Sequence, residues 1–152
     1  MEEQSKMPVM DEETARAFFQ ADAFVKLAGI EIEKITADSA VITAKIGPQH
    51  LNANGFVQGG MLYTIADFAF AVHANFLHPT TVTQGGHINY VRAAKTTALT
   101  AVAKETLRSG HNTLSEVIIK DDQDQIVCVC NFNGFVKDVD VSQIKRMTKE
   151  EQ

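Results

Sequence analysis

Residues Phe56–Phe76 read FVQGGMLYTIADFAFAVHANF. Counting histidine as neutral, Asp67 is the only charged side chain in these twenty-one residues. The spacing predicts one long helix from about Gly60 to Phe76, with Tyr63, Ile65, Phe70, Ala71 and Ala74 as helical neighbours of Asp67. A carboxylate among such neighbours is costly to desolvate unless it is paired or has chemistry to do. The helix falls short of the ~20 apolar residues of a membrane span, and it carries Asp67, His73 and Asn75. It therefore reads as the buried helix of a soluble protein, and an all-round apolar helix needs cover on every side.

The flanking segments indicate what supplies that cover. Asp11 followed by EETARAFFQADAFVKLAG predicts a short N-terminal helix, capped by Asp11 and stopped by Gly29. Ile30–Thr36 and Ser39–Ile46 alternate as two strands of a hairpin, and Gly47–Pro48 ends the pattern. After the helix, four strand-like runs follow: Val82–Val91, Ala98–Leu107, Thr113–Lys120 and Gln125–Val136. Polar turn sequences, Ser109–Asn112 and Asp121–Asp124, separate the later ones. The expected fold class is α+β, with one antiparallel sheet curved around a single central helix. Residues 1–28 form an N-terminal segment, 29–137 the domain and 138–152 a polar tail. A curved sheet covers one flank of the helix only. A second copy of the chain is the simplest cover for the other, which predicts a homodimer.

Bulk properties narrow the function. With 152 residues, 45% of them hydrophobic, the chain builds one domain with a real core. A formal net charge of −5 argues against a nucleic-acid binder, and the polar, acidic start MEEQSKMP has no signal-peptide core. Cys128 and Cys130 share one face of a strand and read as small buried hydrophobes of a reducing cytoplasm. No histidine lies near them in sequence, so no metal and no cofactor is expected.

The segment His50-Leu51-Asn52-Ala53-Asn54-Gly55-Phe56-Val57-Gln58-Gly59-Gly60, continuing to Ile65-Ala66-Asp67, resembles the hotdog-fold thioesterases, and within them the phenylacetate-pathway, PaaI-like branch. Asn52, Gly55, Gly59, Gly60 and Asp67 match that branch in identity and spacing, and the strand order agrees over roughly residues 29–136. The resemblance implies a hotdog fold and hydrolysis of acyl-CoA thioesters carrying an aryl or medium-chain acyl group. It also implies a site split between subunits, with Asn52 and the Gly59 amide from one chain and Asp67 from the other, and a dimer or dimer of dimers. Thr83 falls where relatives place a Ser or Thr that helps position water. Gln58 departs from the pattern, standing where the branch usually has His.

Physical chemistry supports the same residues independently. The first N–H groups of a helix lack internal partners and carry partial positive charge, and glycines there let a carbonyl approach closely. A thioester oxygen on the Gly59 N–H would be polarised as in an oxyanion hole. Asp67 lies eight residues further on, about 12 Å along the helix at ~1.5 Å per residue. That is too far to serve a carbonyl at its own helix start, whereas an antiparallel helix of a second subunit can reach. Asp67 would act as general base on water or as a nucleophile forming a transient anhydride, and the sequence leaves both open. The competing structural reading has Asp67 cap backbone or pair with Arg92 or Lys95. Asn52 would orient the carbonyl or water, against a plain turn role. Gln58 cannot titrate near neutral pH, so imidazole acid–base chemistry at that position is excluded, while a mechanism using the Gly59 backbone survives.

Expected substrate contacts are His50 in an exposed loop, Gln58 and Gly60 at the helix start, and Arg92 toward the phosphates of coenzyme A. Met61 and Tyr63, with Phe70, would line a tunnel between subunits. Two other classes compete with the hydrolase. A non-catalytic acyl-CoA sensor on the same fold would bind tightly without turnover. A hotdog hydratase or dehydratase would need the histidine that Gln58 replaces.

Overall fold

The computed structural model describes residues 8–78 and 80–137; the polar tail assigned to residues 138–152 lies outside them. The elements run α1 (Glu12–Phe19), α2 (Ala23–Leu27), β1 (Ile30–Ile35), β2 (Ala40–Lys45), a 3₁₀ turn (Pro48–His50), α3 (Gly59–Leu77), β3 (Thr81–Tyr90), β4 (Ala98–Ser109), β5 (Asn112–Lys120) and β6 (Ile126–Val136). The six strands form one antiparallel sheet in the order β1-β2-β4-β5-β6-β3. Helix α3 packs against all six. Strands are spaced about 4.8 Å apart and a helix is only about 10 Å wide, so six strands can touch one helix only if the sheet wraps around it. This is the sheet curved around one apolar helix that the strand-like runs predict, and the hotdog architecture that the resemblance implies.

The N-terminal segment corrects the reading of a single helix. Asp22 interrupts it, its side-chain oxygen accepting from the Val25 N–H at 3.0 Å and so capping a second short helix. The break lets α1 and α2 fold back onto α3, where Phe19 meets Phe68 edge-on at 5.5 Å. The chain thus covers part of the flank that the sequence reading left entirely to a second copy. Gly29, at φ +70°, ends α2 in the left-handed region that glycine adopts without strain.

On the sheet side of α3 the packing is tight. Phe70 is fully buried and stacks on Phe132 with ring centroids 5.4 Å apart. Its edge rests over Gly134 of β6, where an added Cβ would lie 2.7 Å from Phe70 Cζ and 2.7 Å from Thr81 Cγ2. Neither neighbour has room to give. Gly134→Ala is accordingly expected to lower stability by about 1–3 kcal/mol, measured by urea unfolding; unchanged stability would mean that the ring has slack. Cys128 and Cys130 point into this core, and burial pushes their thiols up to about 11 and about 12. Such thiols stay protonated and inert, in agreement with their reading as small hydrophobes. Among the described residues no helix is long and apolar enough to cross a membrane.

Candidate active site

The loop before α3 is built to deliver the helix start in a fixed position. Asn52 Oδ1 accepts from the N–H groups of Asn54 (2.9 Å) and Phe56 (3.1 Å), and its own N–H donates to Phe56 O at 2.7 Å. Gly55, at φ +80°, supplies the left-handed residue the turn needs. The end of the loop is then pinned twice. Val57 N–H donates to Ala94 O at 2.9 Å and Gln58 N–H to His50 O at 2.8 Å.

His50 corrects the expectation of an exposed loop side chain. It is buried, its Nδ1 accepts from Gly47 N–H at 3.0 Å, and its Nε2 faces Ala28 O at 2.7 Å. A ring that accepts at Nδ1 and donates at Nε2 has both nitrogens committed to backbone. Its work is to lock the 3₁₀ turn to the end of α2.

Gln58 is the N-cap of α3, and its Oε1 accepts from the Gly60 N–H. This is how the residue that departs from the family pattern earns its place: an amide oxygen satisfies a helix-start donor. Met61 and Leu62 direct their N–H groups to Gln58 O at 3.0 and 3.3 Å. Among the described residues no acceptor is set against the Gly59 N–H. A residue the sequence reading did not single out joins here. Tyr90, near the end of β3, donates its hydroxyl to Gly59 O at 3.2 Å. It ends a largely polar, exposed strand, and nothing in sequence spacing marks a contact across 31 residues.

Two turns along the same unbroken helix sits Asp67, only partly exposed. Thr83 Oγ1 donates to Asp67 Oδ1 at 2.9 Å. Among the described residues the carboxylate takes Thr83 and pairs with neither Arg92 nor Lys95. Desolvation by burial raises the Asp67 pKa above the ordinary carboxylate value; the Thr83 hydrogen bond opposes the rise and the charge of Asp22 adds to it. Tyr63, one turn before Asp67, is itself raised, first by burial and then by the Asp67 charge. The structure therefore joins Asp67, Thr83 and Tyr63 in one group, and Gln58, Gly59, Gly60 and Tyr90 in another. Arg92 stands exposed with its Nε toward Ile126 O at 3.4 Å. Met61 and Phe70 are interior to the single chain, leaving Tyr63 as the partly exposed member of the three expected tunnel residues.

Comparison with known proteins sets this geometry beside the thioesterases. Residues 54–128 match the sequence model described as the thioesterase superfamily. The matched stretch is just under half of this chain. Over 80 residues it is 32% identical to the acyl-coenzyme A thioesterase PaaI of Escherichia coli strain K12, an alignment spanning 53% of this chain and 57% of that protein. The matched stretch thus covers little more than half the length of the curated relative. The fold agrees over more of the chain. The structure of the E. coli PaaI protein from the phenylacetic acid degradation operon aligns with a TM-score of 0.78 at 26% identity, covering 82% of this chain and 91% of that one. A hypothetical thioesterase from Streptococcus pneumoniae, solved with coenzyme A, aligns with a TM-score of 0.73 at 29% identity, covering 80% and 95%. The superfamily match contains Gly59, Asp67 and Thr83, and it begins two residues after Asn52.

Proposed function

We propose that the protein hydrolyses acyl-CoA thioesters to free acid and CoA. The observation that carries the reading is Asp67, a partly buried carboxylate of raised pKa, aligned by Thr83 on the helix whose start offers the Gly59 N–H. A carboxylate with a raised pKa is a stronger base than an ordinary one. In the general-base route Asp67 takes a proton from water as the oxygen attacks the thioester carbon. The carbonyl oxygen gains charge against the Gly59 N–H, the C–S bond breaks, and the proton passes to the departing CoA sulfur. In the nucleophilic route the Asp67 carboxylate attacks the thioester carbon, the C–S bond breaks and CoA leaves as a thiolate that takes a proton from solvent. Water then hydrolyses the acyl–Asp67 anhydride to the free acid and restores the carboxylate. The coenzyme A held by the S. pneumoniae relative supports an acyl-CoA substrate. Aryl and medium-chain acyl groups are the substrates of choice, with Tyr63 beside the reacting carbon and Arg92 toward the phosphates.

The site is completed by a second subunit. Asp67 stands eight residues beyond Gly59 on one helix, so about 12 Å of axial rise separates the carboxylate from its own helix start. The edge of the sheet supports a partner. Strand β3 runs for ten residues at the margin, and nearly every residue after Thr81 is exposed. An edge left unpaired among the described residues is a template for another strand, and pairing β3 with its copy gives an isologous dimer. Thiol release measured across a panel of acyl-CoAs, with light scattering at micromolar concentration, tests both parts. Turnover by a dimer or dimer of dimers is expected. Tight acyl-CoA binding without turnover, or a monomer, would overturn the respective part.

A further inference from the structure

We propose that Tyr90 is a positioning residue for the amide that polarises the thioester carbonyl, an inference that rests on the hydrolysis reading above. The helix begins with two glycines, and a Gly-Gly pair has more backbone freedom than any other dipeptide. An oxyanion donor is effective only when it is held in place before the reaction begins. Something must therefore remove that freedom. The Gly59–Gly60 peptide is held at both ends by side chains. Tyr90 donates to its carbonyl oxygen at 3.2 Å, and Gln58 Oε1 accepts from its N–H. The plane before it, which carries the Gly59 N–H, is held through Gln58 O by the N–H groups of Met61 and Leu62.

The tyrosine ring adds a second constraint. A Cβ placed on Gly59 would sit 3.5 Å from the Tyr90 ring and from its hydroxyl oxygen, so the ring lies in van der Waals range of the glycine. Yet Tyr90 is 52% exposed. A half-exposed aromatic that turns to a helix start instead of the core does little for the hydrophobic interior. Burial raises its phenol above the ordinary value of about 10, and a phenol is already a protonated donor at neutral pH. Strand β3 thus reaches α3 at both functional points, through Thr83 at Asp67 and through Tyr90 at Gly59.

Tyr90→Phe in the full-length chain tests the role, since it keeps the ring and removes only the hydroxyl. Loss of one hydrogen bond that aligns the donor is expected to lower kcat by about three- to tenfold with KM unchanged. The thermal midpoint should stay at the wild-type value. In a ¹⁵N-labelled sample the Gly60 amide, which shares a peptide with the Gly59 carbonyl, should shift and exchange faster. Wild-type kcat in the variant overturns the proposal. So does a fall in kcat that only tracks a loss of thermal stability. An unmoved Gly60 amide overturns the clamp alone. Absence of turnover in the wild type overturns the hydrolysis reading, and the Gly60 amide shift in Tyr90→Phe then still tests the Tyr90 clamp separately.

Discussion

Asp67→Asn is expected to cut kcat by about 10²–10⁴-fold, the range for removal of a general base, and to raise the thermal midpoint at neutral pH. The two effects share one cause. Burial raises the Asp67 pKa, so the folded state holds its proton more tightly than the unfolded chain does. The sign follows from linkage: stability from this group is present below its unfolded pKa and is lost as pH rises through the higher folded value. Above that window the folded protein carries a partly desolvated charge that asparagine does not. The variant still offers an oxygen to the Thr83 hydroxyl, so packing is kept. Its stability advantage should shrink as pH falls into the carboxylate range. In the wild type the acid limb of kcat should lie above the ordinary carboxylate value. Full activity in Asp67→Asn, measured by thiol release, would remove the residue from the mechanism.

How much of this was legible in sequence depended on the range of the interaction. The central helix could be read because its determinants are local: two glycines, a run without charges and one carboxylate. Six strands followed from alternation and turn chemistry, and their ends moved by only a residue or two. The break between α1 and α2 escaped notice because Asp22, as a cap, sits inside a pattern that otherwise continues as helix. His50 looked like loop because its burial depends on Ala28 O, a partner 22 residues away. Thr83 was identified by resemblance, since no local spacing reports a contact with Asp67 across β3. Tyr90 had no such guide. Its link to Gly59 exists only once the sheet has curved and brought β3 over the start of α3. Gln58, by contrast, could be read in part: the absence of imidazole excluded one chemistry, and the structure then gave the amide a capping task.

Gly59→Pro is expected to lower kcat by about 10²–10³-fold, the loss associated with a single oxyanion donor, while leaving the fold intact. Gly59 is the first residue of α3, the helical position where proline is most at home. Gln58 already holds φ −66° and ψ 138°, the extended conformation required before proline. An added Cβ meets the Tyr90 ring at an ordinary 3.5 Å. The change that matters is the missing N–H. Gly59→Ala is the control, since it brings the Cβ and keeps the donor, and the ratio between the two variants isolates the amide. The same substitution also decides which subunit supplies Asp67. In a mixed dimer of Gly59→Pro and Asp67→Asn chains, purified through two different tags, a site shared across the interface occurs once with both groups intact. The other site has lost both. Such a dimer should recover about half the wild-type kcat, because a two-fold dimer carries two equivalent sites. If Gly59 and Asp67 served one site within a single chain, both sites of the mixed dimer would be impaired and nothing would be recovered. Restoration of activity by mixing two inactive proteins would therefore place the carboxylate opposite the partner's helix start.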